Sequence, residues 1–154
     1  MTYQRPELLQ HIRSQFKIDW HGIHGANHWA RVLFHGQRIA EKRSADLLVV
    51  ELFAFLHDSC RWNDHRDPLH GKRAAEFAYG INGQFFQLTA PQLDSLCYAM
   101  EHHSGGDVST SATIQTCWDA DRLDLGRVGI IPNKRYLSDE ATLFIDEAFN
   151  MSIR

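Results

Sequence analysis

Histidine and aspartate are the residues in this chain with the most chemistry to offer, and they are spread unevenly. Ten histidines fall among 154 residues, gathering at 21, 24 and 28, at 57, at 65 and 70, and at 102 and 103. His57 is followed directly by Asp58. Imidazole nitrogen and carboxylate oxygen together suit divalent Mn, Co, Ni, Fe, Zn or Mg, so the distribution predicts a metal site. A mixed set of this kind is compatible with one ion or with two. An ion so held acts as a Lewis acid and lowers the pKa of water from about 15.7 toward about 7.

The donors must be delivered by helices. Apolar residues recur at helical spacing in Trp29, Val32, Leu33, Gly36 and Ala40, in Leu93, Leu96, Cys97 and Met100, and in Ile114, Cys117, Trp118 and Leu125. No stretch alternates as a strand does. Seven helices are predicted, near 5 to 17, 25 to 43, 46 to 58, 68 to 81, 90 to 103, 110 to 125 and 138 to 150. Asp46, Asp67 with Pro68, Thr89 with Gln92, and Ser138 supply start signals.

The third helix is apolar nearly all round and therefore central, and its stripe Val50, Phe53 runs on to His57. Adjacent residues on a regular helix diverge by about 100 degrees, so His57 and Asp58 can serve one ion only at a helix end. Asp121 projects from the stripe of Ile114, Cys117, Trp118 and Leu125, a face meant for the core. A buried carboxylate must neutralise, pair or bind a cation. A salt bridge to Arg31 or Arg61 would also satisfy it, but the histidines favour ligation. His28 borders the apolar face of the second helix, with His24 one turn before and Arg31 nearly one turn after. Asp124, one turn from Asp121, suits a supporting role.

The composition limits the alternatives. A 44% hydrophobic content with four Trp can offset ordering entropy, and the length fits a single domain over 1 to 154 with its core at about 24 to 129. A net charge of -3 with scattered Lys and Arg disfavours bulk nucleic-acid binding. Cys60, Cys97 and Cys117 are odd in number and form no C-x-x-C pair, which fits a reducing cytoplasm. Residues 1 to 17 lack the apolar stretch of a signal peptide, and the longest apolar run, 47 to 56, is too short to span a membrane. The expected protein is soluble and cytoplasmic; its oligomeric state is left open.

Three pieces, in order, resemble the H...HD...D signature of the HD superfamily of metal-dependent phosphohydrolases: His28 in His28-Trp29-Ala30-Arg31-Val32, the doublet His57-Asp58, and Asp121 in Ala120-Asp121-Arg122-Leu123. His70 followed by Ala74 and Ala75 resembles the helix after the doublet, and His102-His103 resembles a histidine pair that some members use for a second ion. The segment from Thr116 to Arg127 is similar to a small, stand-alone bacterial subgroup. The Gly-Tyr-Pro segment of the cyclic-dinucleotide branch is missing, as is any attached synthetase or sensor domain.

The resemblance implies an all-α, single-domain bundle with His28, His57, Asp58 and Asp121 on a divalent metal, and activity on a small phosphate ester, commonly a nucleotide. Asp58 would both bind the ion and orient the attacking water. Arg31, Arg61, Lys72 and Arg73 are the candidates for gripping phosphate, and His70, His102 and His103 for a second ion. Simpler roles are expected elsewhere. Arg122 and Arg127 are read as braces for Asp119 or Asp124, Trp29 and Trp118 as core, and His21, His35 and His65 as exposed or packed in loops. Two other readings stay open: a di-iron HD-type oxygenase, and a catalytically idle metal or nucleotide sensor.

Overall fold

The computed structural model describes residues 2 to 153. Among them lie eight α-helices and no strand: α1 (Arg5–Gln15), α2 (Ala26–Arg43), α3 (Leu47–Leu56), α4 (His70–Ile81), α5 (Ala90–Glu101), α6 (Ala112–Arg122), α7 (Asp139–Thr142) and α8 (Ile145–Ser152). None is long and apolar enough to cross a membrane.

Helix α3 is the axis of the bundle. Asp46 caps it by accepting from the backbone N–H groups of Leu48 and Val49 at 3.1 and 3.2 Å. Every residue from Val49 to Leu56 is buried, including Glu51, whose charge is met by Arg5. Helices α2, α5 and α6 pack around α3, and α4 pairs with α5. Trp29, Phe53, Leu56, Leu96, Met100 and Trp118 fill the space between them, so both tryptophans are core residues as expected.

Two glycines set how closely the helices approach. A Cβ on Gly36 would fall 2.5 Å from Val50 Cγ1, which fixes α2 tightly on α3. A Cβ on Gly71 would fall 2.3 Å from the Met100 carbonyl oxygen, so α4 lies against the end of α5 only because that position lacks a side chain. This contact carries His70 toward His103.

Several boundaries differ from the sequence expectation for local reasons. Helix α3 stops at Leu56, leaving His57 and Asp58 in the turn that follows, where the loosened geometry lets both face inward. Helix α4 begins at His70 rather than at Pro68, because the Asp67 carboxylate is taken by Arg73 and by the Trp62 N–H and does not cap. Helix α6 ends at Arg122 and gives way to a 3-10 turn, Leu125–Val128, closed by Gly129 at φ 80 degrees. The single helix expected at 138 to 150 is broken at Leu143 and Phe144. That break turns Ala141, Ile145 and Ala148 together onto Ile39, Leu123 and Leu137, forming a second small core.

Candidate metal centre

The four sequence candidates arrive from three directions: His28 from α2, His57 and Asp58 from the turn after α3, and Asp121 from the end of α6. His28 Nε2 lies 3.1 Å from His57 Nε2, 3.4 Å from Asp58 Oδ2 and 3.2 Å from Asp121 Oδ1. His57 Nε2 lies 3.3 Å from Asp58 Oδ2 and 3.4 Å from Asp121 Oδ1. Metal–ligand bonds of about 2.1 Å put neighbouring donors roughly 3.0 to 3.4 Å apart in octahedral or tetrahedral shells.

With both rings neutral, the hydrogen-bond pattern leaves these atoms facing one another without a donor between them. His57 Nδ1 faces the carbonyls of Phe53 and Ala54 at 2.9 and 3.1 Å. Carbonyls only accept, so Nδ1 carries the hydrogen, and Nε2 presents a lone pair whenever the ring is neutral, as it must be to bind a metal. His28 Nδ1 donates to Asp124 Oδ2 at 2.6 Å, and Asp124 Oδ1 is held by Arg31 Nε at 2.6 Å. Its Nε2 is likewise a lone pair in the neutral ring. Two lone pairs and two carboxylate oxygens therefore converge, and Asp121 Oδ1 is buried without a hydrogen-bond donor. A cation is what this donor set fits.

A second cluster shares Asp58. Its Oδ1 lies 3.3 Å from His70 Nε2 and 3.6 Å from His103 Nε2, and those two nitrogens are 2.8 Å apart. His70 Nδ1 donates to the Asp67 carbonyl and His103 Nδ1 to the Met100 carbonyl, so both Nε2 atoms again offer lone pairs. The Asp58 carboxylate thus has one oxygen in each cluster, and either cluster could hold a metal ion. His102 does not join them. It caps α5 with its ring against Tyr98, centroids 4.5 Å apart.

The local field is strong. Burial opposes charge on His57, but Asp58 and Asp121 outweigh it and carry its pKa to about 10. Burial also works against the Asp58 and Asp121 carboxylates, yet the surrounding histidines hold both well below the ordinary range. Burial lowers the pKa of His103 more than Asp58 and Asp121 raise it, which keeps that ring in its ligand form. The site draws positive charge, as protons or as metal.

Beside the clusters opens a cavity of about 310 Å³ with Asp58, Asp121 and His103 in its lining. Three arginines border it: Arg61, Arg122 and Arg127. Arg61 Nε donates to Asp58 Oδ1 at 3.3 Å, and its Nη1 is anchored on the carbonyls of Asn63 and His65. The other arginines and the lysine proposed from sequence lie elsewhere. Arg31 is spent on Asp124, Lys72 is exposed on α4, and Arg73 grips Asp67 bidentately while covering the Trp62 ring at 3.8 Å. Lys72 faces solvent, whereas Arg31 and Arg73 are intercepted by Asp124 and Asp67 before they reach the cavity.

Arg122 and Arg127 depart from the expected bracing role. Arg122 donates to the Tyr136 carbonyl at 2.6 Å, and Arg127 to the carbonyls of Ile23 and Asp124 at 2.8 and 3.0 Å. Asp119 is instead held by Ser138 and Gln115. Tyr136 and Asn133, from the segment after Gly129, complete the far wall, and no helical signal in the sequence pointed to them. Among the remaining histidines, His24 pairs with Asp64 at 2.8 Å, and His21 and His65 are exposed. His35 is buried with neither ring nitrogen hydrogen-bonded, so for this residue the loop or surface expectation is corrected.

No family model matches the chain, and no curated protein matches it. A crystal structure at 1.45 Å of a predicted HD superfamily hydrolase, from an uncultured Thermotogales bacterium, does match, with a TM-score of 0.73 and 25% identity. The match covers 96% of this chain and 86% of that one. With the helices in this order and the His and Asp residues gathered at their ends, the chain has the HD-domain fold.

Proposed function

We propose that this protein is a metal-dependent phosphohydrolase acting on a small phosphate ester. The observation that carries the reading is Asp58, with one oxygen in each of two buried His clusters, at the edge of a cavity bordered by three arginines. His28, His57, Asp58 and Asp121 would hold one divalent ion, and Asp58, His70 and His103 a second. Bound ions of this kind acidify water and polarise a phosphoryl oxygen.

The chain's own side chains do the rest. Both Asp58 oxygens are turned to histidines, so its part is to hold the two clusters together rather than to move a proton. Arg61, fixed by its bond to Asp58 and lining the cavity, would offset the charge that builds on a phosphoryl group bound there. Asp124 and Arg31 keep the His28 ring in one tautomer and orientation. A cavity of about 310 Å³ lies at the small end of ligand sites, which favours a compact phosphometabolite up to about the size of a mononucleotide.

The test is a phosphate-release screen over nucleotides and sugar phosphates with Mn, Co, Ni, Fe, Zn and Mg, on protein purified without chelator and analysed for metal. Phosphate release that depends on the ion and disappears in Asp58→Ala supports the reading. Iron content with oxygen consumption and no phosphate release would instead favour the oxygenase; ordered metal with no turnover under any condition would favour a sensor.

A further inference from the structure

Arg122 is the cavity residue whose chemistry is left unfinished. Its side chain is 7% exposed and carries a charge into the interior. Among the described residues no carboxylate makes an ion pair with it, although Asp121, Asp119 and Asp107 lie close enough to favour its charge. The three acids nearest in sequence have other partners: Asp119 accepts from Ser138 and Gln115, Asp121 faces His28 and His57, and Asp124 accepts from His28 and Arg31. Of the five guanidinium donors, one on Nη1 reaches the Tyr136 carbonyl, while Nη2 is buried without a partner. The rings of Trp118 and Tyr136 flank it at 5.3 and 5.9 Å, sheltering the charge without neutralising it.

Arg61 is nearly as buried but differs in its partners, since it is bonded to Asp58 and to two carbonyls. Of the three arginines that border the cavity, Arg61 is tied to Asp58, Arg127 is held by the Ile23 and Asp124 carbonyls, and Arg122, on the wall formed with Tyr136, keeps a buried donor without a partner. Burial works against the Arg122 charge more than the nearby Asp121, Asp119 and Asp107 favour it, and none of the three pairs with it directly, so an anion that a ligand brings would supply the contact its free donors lack.

We propose that Arg122 forms a second anion subsite, and that the substrate is a small phosphate ester whose leaving group carries a carboxylate or a further phosphate. This rests on the phosphohydrolase reading. In the reaction the oxygen of water forms the new bond to phosphorus, the ester P–O bond breaks and the leaving oxygen takes a proton from that water. Inorganic phosphate and an alcohol that retains its own anion are the products. The neutral nucleoside of a mononucleotide would leave Arg122 unmatched.

The test compares matched pairs on the full, metal-loaded chain. Turnover is measured with 3-phosphoglycerate against glycerol 3-phosphate, and binding by calorimetry with phosphonoacetate against methylphosphonate. The wild type is expected to favour the doubly anionic member of each pair by about tenfold or more, as one charge-assisted contact predicts. Arg122→Gln should remove that preference, raising KM for phosphoglycerate by about 10- to 100-fold and changing glycerol phosphate by less than about threefold. Arg122→Lys should retain part of it. Equal treatment of both members by the wild type overturns the subsite, and needs no variant to be seen. Equal slowing of both esters in a folded Arg122→Gln also overturns it, because that is the mark of a structural residue. If no ester is hydrolysed with any ion but phosphonoacetate is still preferred, the phosphohydrolase reading fails while the subsite stands.

Discussion

His28 Nδ1 donates to Asp124 Oδ2 at 2.6 Å, and this one bond decides which nitrogen of the ring faces the metal centre. Burial raises the Asp124 carboxyl, but His28 and Arg31 outweigh it and hold its pKa below the ordinary value, so it acts as an acceptor. Asp124→Asn keeps the shape but removes the charge and allows the amide to donate. Metal affinity is expected to fall by about 10- to 100-fold with the fold intact, as measured by competition with a chromogenic chelator. Unchanged affinity would mean that the ring is held by packing alone.

Gly71 controls the second cluster through a different route. Gly71→Ala places a methyl against the Met100 carbonyl and forces α4 away from α5, separating His70 from His103. The expected result is a loss of about 1 to 3 kcal/mol in stability, with one bound ion remaining where the wild type holds two. Metal analysis after gel filtration reads the count. Two ions retained in the variant would show that His70 and His103 tolerate the displacement.

The arginines divide into those that reach the cavity and those that do not. Arg61→Met should reduce kcat/KM by about 100-fold while leaving metal content near normal. Lys72→Ala and Arg73→Met should leave kcat/KM within about twofold, since neither side chain borders the cavity. A large loss of activity in a stable Lys72→Ala protein would mean that the substrate lies on another face.

His35 predicts an acid-sensitive stability that has nothing to do with metal. Burial lowers its pKa from 6.5 to about 4. Between those values the unfolded chain binds a proton that the folded chain refuses, so the stabilisation is complete above pH 6.5 and is lost as the pH falls toward 4. At about 1.4 kcal/mol per unit the full effect is on the order of 3 kcal/mol. Urea unfolding of chelator-treated wild type and His35→Leu at pH 7 and pH 5 should show a shallower decline in the variant. Parallel declines would assign the acid sensitivity to other groups.

The parts of this site that could be read in the sequence are those fixed by phase on a single helix. His57 follows the stripe of α3, Asp121 interrupts the stripe of α6, and His28 borders that of α2, so each declares an inward face without knowledge of the fold. Asp124 was legible for the same reason, being one turn from Asp121. What could not be read was which neighbour a side chain meets across the bundle. Arg31 lies on the same side of α2 as His28 but is intercepted by Asp124, and Arg73 by Asp67. His102 and His103 are equivalent in sequence, and only the exact end of α5 separates them. Tyr136 and Asn133 belong to a single 3-10 turn and its cap, too short for any periodicity to mark an inward face.

The central claim is that the two His clusters sharing Asp58 are metal sites, and anomalous diffraction from crystals grown with Mn²⁺ tests it most directly. The account predicts one strong peak among His28, His57, Asp58 and Asp121, a second among Asp58, His70 and His103, and the loss of both in Asp58→Ala. No peak at either position, with the rings and carboxylates hydrogen-bonded to one another through added protons, would contradict it.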